Sequence, residues 1–185
     1  RVFPEDLQAA AAIFAQSRVI LTQLEIPIET VLAAAAISEG TVLLNPAPVA
    51  PLPPALLDRV DVLIPNRIEL AQLADSATPE EIKTVEELAR ALPVSTVVVT
   101  LGAQGALLVK DGDALHISAP SVKVVDTTGA GDAFCGALAA GLARGIPIEE
   151  AMLQAIHAGA ISTTRRGALP SLPTAAEVNS LTVET

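Results

Sequence analysis

A chain of 185 residues with 51% hydrophobic content can bury one sizeable core, which excludes a disordered segment. A net charge of −10, with three Phe and neither Tyr nor Trp, excludes a surface for stacking bases or tracking a phosphate backbone, though not a single nucleotide held by amides and a metal ion. The one cysteine, Cys135, excludes a disulfide framework and a multi-cysteine metal site. No apolar run approaches the ~18 residues of a membrane span and the N-terminus does not read as a signal peptide, so the expectation is a cytoplasmic protein with no membrane or nucleic-acid partner. The chain begins at Arg1 rather than Met, which leaves open that it is part of a longer one.

In chain order, residues 5–16 read as one Ala-rich helix and residues 18–24 as an apolar strand. Pro27 opens a helix over 28–38 that Gly40 stops, and residues 41–44 form a short strand. Asn45 begins a proline-dense loop, in which neither helix nor ladder can form. A strand at 61–64 is broken by Pro65-Asn66 before a helix through Leu73. Thr78 with Glu81 has the spacing of a capping box, Pro79 suits a first turn, and a helix is predicted to about Leu92. Residues 96–101 and 106–110 are β-branched or apolar strands around the turn Gly102-Ala-Gln-Gly105, and Asp111-Gly112 is a hairpin signal leading to a strand at 114–118. Helices are predicted over 148–163, after Pro147, and over 174–181.

Strands alternating with helices predict an α/β fold in three αβα layers around a mostly parallel sheet, over 1–185 as a single domain. Ligands of such sheets bind at the carboxyl ends of the strands. Glu25, Asn45, Asn66, Gly102 and Asp126 each follow a predicted strand, so the polar residues are expected along one edge.

The most informative stretch is Val124-Val-Asp-Thr-Thr-Gly-Ala-Gly-Asp132 and the small-residue helix after it. A strand is expected to end at Asp126, followed by a glycine turn and a helix opened by Asp132. The first turn of a helix leaves amides without intrahelical partners at the positive end of the dipole, a natural phosphate site. Asp132 is then either a helix cap or a base that takes a proton from a nucleophile attacking that phosphate.

The Gly-x-x-x-x-Gly-Lys-Ser/Thr loop, the Gly-x-Gly-x-x-Gly fingerprint and a Gly-x-Ser-x-Gly elbow are all absent. His116 and His157 have no evident catalytic partner and read as surface or packing residues, as Cys135 reads as packing. Phosphoryl transfer with a carboxylate base remains.

Asp126-Thr-Thr-Gly-Ala-Gly-Asp132-Ala-Phe resembles the C-terminal signature of the ribokinase-type, or pfkB, family of carbohydrate kinases. Asn66-Arg-Ile-Glu69, Thr100-Leu-Gly-Ala-Gln-Gly105 and Arg165-Arg-Gly-Ala-Leu-Pro-Ser171 match further segments of that family. Gln23-Leu-Glu25 and Asn45-Pro-Ala-Pro48 resemble its ribose-phosphorylating members more than its fructokinases or adenosine kinases. The resemblance implies an ATP-dependent kinase that converts ribose to ribose 5-phosphate. Asp132 would be the base, with the amides of Gly129, Ala130 and Gly131 as the anion hole. Thr100, Gly102, Gly105 and Asn66 would serve the nucleotide, and Glu25 and Asp132 the sugar. Asn66 and Glu69 would act on Mg²⁺ through its waters. Asp126, Thr128, Ser162, Arg165, Gly167 and Ser171 would surround a monovalent cation, K⁺.

Family members carry further strands, a small β-lid and a Gly-Gly sugar motif before the equivalent of Arg18, none of which is in this sequence. Family members often dimerise through the lid, which implies a homodimer for a full-length form. A non-catalytic nucleotide-binding or assembly module is the alternative that the missing lid and sugar motif leave open.

Overall fold

The computed structural model describes residues 2–182. Its elements are α1 (Pro4–Ala9), α2 (Ala11–Gln16), β1 (Val19–Thr22), α3 (Ile28–Ile37), β2 (Thr41–Leu44), α4 (Pro54–Leu57), β3 (Val62–Leu63), α5 (Arg67–Leu73), α6 (Ile82–Ala91), β4 (Thr96–Thr100), β5 (Ala106–Lys110), β6 (Asp113–Ile117), α7 (Ala130–Ala143), α8 (Ile148–Ser162) and α9 (Ala175–Thr182). Single 3₁₀ turns lie at Gly102–Gln104 and Leu169–Ser171. The strands form one sheet in the order β1-β2-β3-β4-β5-β6, with the first four parallel. The expected α/β fold with a mostly parallel sheet is therefore present. Asp111 and Gly112 both have positive φ, 51° and 89°, and such a two-residue link can only join antiparallel neighbours, β5 and β6.

The described residues fall into two compact units: those up to Val99 with Leu107–Ala114, and Thr100–Ala106 with those from Leu115 onward. In the first, Val31 and Ala35 of α3 pack with Val42 and Leu44 of β2, Leu56 of α4, Val60 of the turn after it, and Leu63 of β3. β2 and β3 carry buried apolar residues on both faces, as strands covered from both sides must. Gly40 sits where a Cβ would fall 2.4 Å from the Ser17 carbonyl oxygen, so the chain passes too closely for any side chain. In the second unit α7 and α8 pack closely through small residues, and Ala158 and Ile161 of α8 meet Val178 of α9. Among the described residues no helix is long and apolar enough to cross a membrane.

Three local expectations are corrected. Residues 5–16 form two helices, because the Ala10 amide bonds the Leu7 carbonyl in a tighter i to i−3 step (3.0 Å) and the ladder restarts after it. The Thr78–Glu81 capping box does not form. Instead α6 begins at Ile82, and the Arg67 guanidinium takes the Pro79 carbonyl (3.1 Å) and the Glu80 carbonyl, holding that segment out of a helix. No strand precedes Asp126. The amides of Val125 and Asp126 both donate to the Thr163 carbonyl (2.7 and 3.1 Å), so they join no ladder, and Val124 and Val125 are 59% and 50% exposed.

Candidate functional site

The residues singled out in the sequence divide between the two units. In the first, the carboxyl ends of parallel β1, β2 and β3 carry Gln23, Asn45 and Asn66. Gln23 donates to the Asn45 side-chain oxygen (3.2 Å), and the Asn45 amide donates to the Ile64 carbonyl (2.8 Å). This edge is thus tied by side chains where the ladder ends. Glu25 is exposed in the loop between β1 and α3.

Asn66 caps α5. Its Oδ1 accepts the amides of Ile68 and Glu69 (2.8 and 2.9 Å), while its own amide and Nδ2 donate to the two Glu69 carboxylate oxygens (2.8 and 2.7 Å). The pair is a reciprocal capping box, and burial pushes the Glu69 carboxyl up against the lowering effect of the Asn66 amide. Each carboxylate oxygen accepts one of these bonds and keeps further lone pairs, so Glu69 can still accept from the water shell of a Mg²⁺ ion. Among the described residues no three His, Cys, Asp or Glu side chains converge on one point. A divalent ion would therefore depend on its waters and on a ligand phosphate.

The second unit carries the cleft. Thr100 ends β4, and the turn after it closes with the Leu101 amide on the Gly105 carbonyl (2.8 Å). Gly105 has φ +89°, and a Cβ there would lie 1.9 Å from the Ile117 carbonyl oxygen, so only glycine fits. His116 Nε2 lies 2.7 Å from the Gln104 carbonyl, which can only accept, so Nε2 carries the proton and clamps the turn. Its sequence neighbourhood, a strand after a hairpin, gave no sign of this.

The second wall is the N-terminus of α7. Gly129 is its N-cap in the left-handed region, φ 80°, and a Cβ there would stand 3.2 Å from Ala168 Cα. The helix therefore opens at Ala130, and Asp132 is an exposed residue of the first turn rather than the cap. The Ala130 amide donates to the Thr127 carbonyl (3.2 Å). Gly131, next in the helix, has an amide that helical geometry leaves without an intrahelical acceptor.

Thr100, Gly102 and Gly105 line the same cleft of about 510 Å³ as Thr127, Ala130 and Gly131. Two segments picked separately from the sequence meet there. Residues 119–122 with Val124, Ile156, Gly159 and Ala160 of α8, and Thr163 just after it complete the walls and were not anticipated. The opening has a small-molecule size and, with helix amides at one end, can receive an anionic ligand. Asp132 lines a smaller neighbouring cleft of about 270 Å³ with Gly136, Ala137, Arg144 and Asn179. The first turn of α7 thus presents Ala130 and Gly131 to one hollow and its carboxylate to the other.

The expected cation segments also come together. Asp126 Oδ1 accepts the Thr128 amide and hydroxyl (3.0 and 2.7 Å), and Oδ2 accepts the Gly167 amide (2.9 Å). These bonds, that from Gly167 foremost, lower the carboxyl to about 2. The Ser162 carbonyl accepts the Arg165 amide (3.2 Å), and Ser171, fully buried, donates to the Ala168 carbonyl (2.7 Å). The donors around this loop are oxygens of carbonyls, hydroxyls and a carboxylate, a set suited to a hard cation. Arg165 pairs with Glu177 and ties the loop to α9.

The family model described as pfkB family carbohydrate kinase matches residues 2–175. A ribokinase of Schizosaccharomyces pombe is 37% identical over 169 residues, covering 86% of this chain and 53% of that protein. A crystal structure of ribokinase from Thermotoga maritima superposes with a TM-score of 0.85 at 38% identity, covering 94% of this chain and 59% of that one. The structure of Arabidopsis thaliana ribokinase complexed with ribose and ATP superposes with a TM-score of 0.87 at 32% identity, covering 94% and 58%. The chain spans 53% and 60% of the length of the first two curated relatives it matches.

Proposed function

This chain belongs to the pfkB family of carbohydrate kinases, and on that premise we propose that it is the nucleotide-binding and phosphoryl-transfer part of an ATP-dependent sugar kinase, with ribose as acceptor. The observation that carries the reading is the shared cleft, in which the turn at Thr100, Gly102 and Gly105 faces Ala130 and Gly131 at the N-terminus of α7.

The nucleotide lies in this cleft with its terminal phosphate toward the first turn of α7, where amide N–H groups and the dipole meet developing negative charge. Asp132 orients the acceptor hydroxyl and takes its proton. The hydroxyl oxygen forms its bond to the γ-phosphorus as the bond from phosphorus to the bridging oxygen of ADP breaks. A carboxylate beside an anion site is repelled by phosphate alone, and a hydroxyl placed between them removes the conflict. Glu25 contacts a sugar hydroxyl. Asn66 and Glu69 would hold the water shell of Mg²⁺, and the Asp126 carboxylate with oxygens of Thr128, Ser162, Arg165, Gly167 and Ser171 would hold K⁺. When bound, these cations supply positive field that offsets the phosphate charge.

The test is ribose-stimulated ADP release from MgATP, with calorimetry of MgATP binding beside it. Asp132→Asn is expected to lower turnover by about 10²–10⁴-fold with MgATP affinity little changed. Equal turnover by the variant overturns Asp132 as base. Because the chain spans little more than half of its relatives, a second reading is a non-catalytic nucleotide-binding or assembly module. MgATP binding without any ribose-stimulated ADP release selects it.

A further inference from the structure

We infer that the cleft holds its nucleotide by phosphate and by shape and does not read the base, so that MgATP, MgGTP and MgITP are interchangeable ligands; this rests on the nucleotide reading above. Adenine and guanine present opposite senses at the same edge: a 6-amino donor beside an N1 acceptor in one, a 6-oxo acceptor beside an N1–H donor in the other. A side chain separates them when its sense is fixed, as in a carboxamide, carboxylate or guanidinium, because the wrong base then leaves a buried polar group unpaired. Among the described residues lining the cleft, none has a charged, carboxamide or imidazole side chain.

The polar side chains that remain are the hydroxyls of Thr100, Ser121, Thr127 and Thr163. A hydroxyl rotates to donate or accept and satisfies either edge. Thr163 Oγ1 already donates to the Ala160 carbonyl (2.7 Å), which leaves it accepting, and both purines offer it a donor, the 6-amino group or N1–H. The rest of the lining is glycine, proline, small and aliphatic side chains and Phe134, which is only 5% exposed and so offers no ring to stack on. Val122 and Val124 give apolar contact to any flat ring. At the other end, the pull of the α7 N-terminus on phosphate is the same for every base.

Calorimetric titration of the chain with MgATP, MgGTP, MgITP and magnesium tripolyphosphate tests this. The three nucleotides are expected within about tenfold of one another, and each more than about tenfold tighter than tripolyphosphate. A preference for MgATP over MgGTP beyond about tenfold overturns the inference and leaves the nucleotide reading standing. Nucleotides that bind no more tightly than tripolyphosphate overturn both.

Discussion

The Asp126 carboxylate accepts the backbone amide of Gly167 at 2.9 Å across a separation of 41 residues. It thereby joins the loop before α7 to the loop after α8, while Gly129, three residues past Asp126, lies against Ala168, one residue past Gly167. The geometry of the glycine turn is set as much by the later loop as by its own residues.

That carboxylate titrates at about 2 in the folded chain against 3.8 for an ordinary Asp, because the charged form takes three hydrogen bonds. The folded state holds the ion more strongly than the unfolded one, so the stability it contributes is fully present above pH 3.8 and is lost as pH falls toward about 2. Asp126→Asn is expected to be less stable than the parent at pH 7 in urea unfolding. The gap should close as pH is lowered below about 4. A gap that stays constant with pH removes the charge from the explanation.

Glu69 has the opposite sign. Burial raises its pKa above 4.5, so the stability linked to its protonation is full below pH 4.5 and is lost as pH rises through the folded value. Relative to the parent, Glu69→Gln should gain stability as pH rises from 4 to 7. Asn66→Ala removes the cap itself and should cost about 1 kcal/mol at either pH. A parent and Glu69→Gln whose difference does not move with pH would show that desolvation of this carboxylate is not felt.

How much of this was legible turns on spacing and its context. The same polar-x-x-Glu spacing occurs at Asn66–Glu69, Thr78–Glu81 and Thr174–Glu177. The first and third are hydrogen-bonded caps, with Thr174 donating to Glu177 by its amide (2.7 Å) and hydroxyl (2.9 Å), and the second is not. What separates them is Arg67, whose reach to Pro79 and Glu80 is a tertiary fact that no local window contains. The parallel strands β1 to β4 were legible because each is a short run of aliphatic and β-branched residues, as a parallel sheet covered by helices requires. Val124 and Val125 carry the same signature and are not a strand, because their neighbourhood is the end of α8 and not a ladder. The cleft was legible where glycines are forced by geometry, at Gly105 and Gly129. It was invisible where it is lined by ordinary residues such as Ala119, Val122 and Ala160.

Two glycines on the cleft turn separate strain from collision. Gly102 has φ +60° and nothing within 4 Å of a built Cβ, whereas Gly105 combines φ +89° with backbone atoms at 1.9 to 2.8 Å. Gly102→Ala should cost about 1 kcal/mol, the strain of a left-handed residue. Gly105→Ala should cost about 3 kcal/mol or more and should also weaken MgATP binding, since the turn cannot keep its position. Equal costs in chemical denaturation would mean that the turn moves freely away from Ile117.

A Cβ on Gly141 of α7 would stand 2.8 Å from Ala151 Cβ on α8, so the two helices share room for a single methyl group. Helix propensity alone would make Gly141→Ala stabilising by about 1 kcal/mol. Overpacking of about 1–3 kcal/mol outweighs that gain, so the variant should be destabilised. Ala151→Gly alone loses about 1 kcal/mol of propensity along with its buried methyl contact. The double variant moves the methyl from one helix to the other, where propensity terms cancel and the space is refilled. It should therefore recover to within about 1 kcal/mol of the parent, a coupling of about 1–2 kcal/mol in a double-mutant cycle of urea unfolding. Additive single effects would show that α7 and α8 separate to admit the extra methyl, and that this close contact does not fix how the first turn of α7 is held.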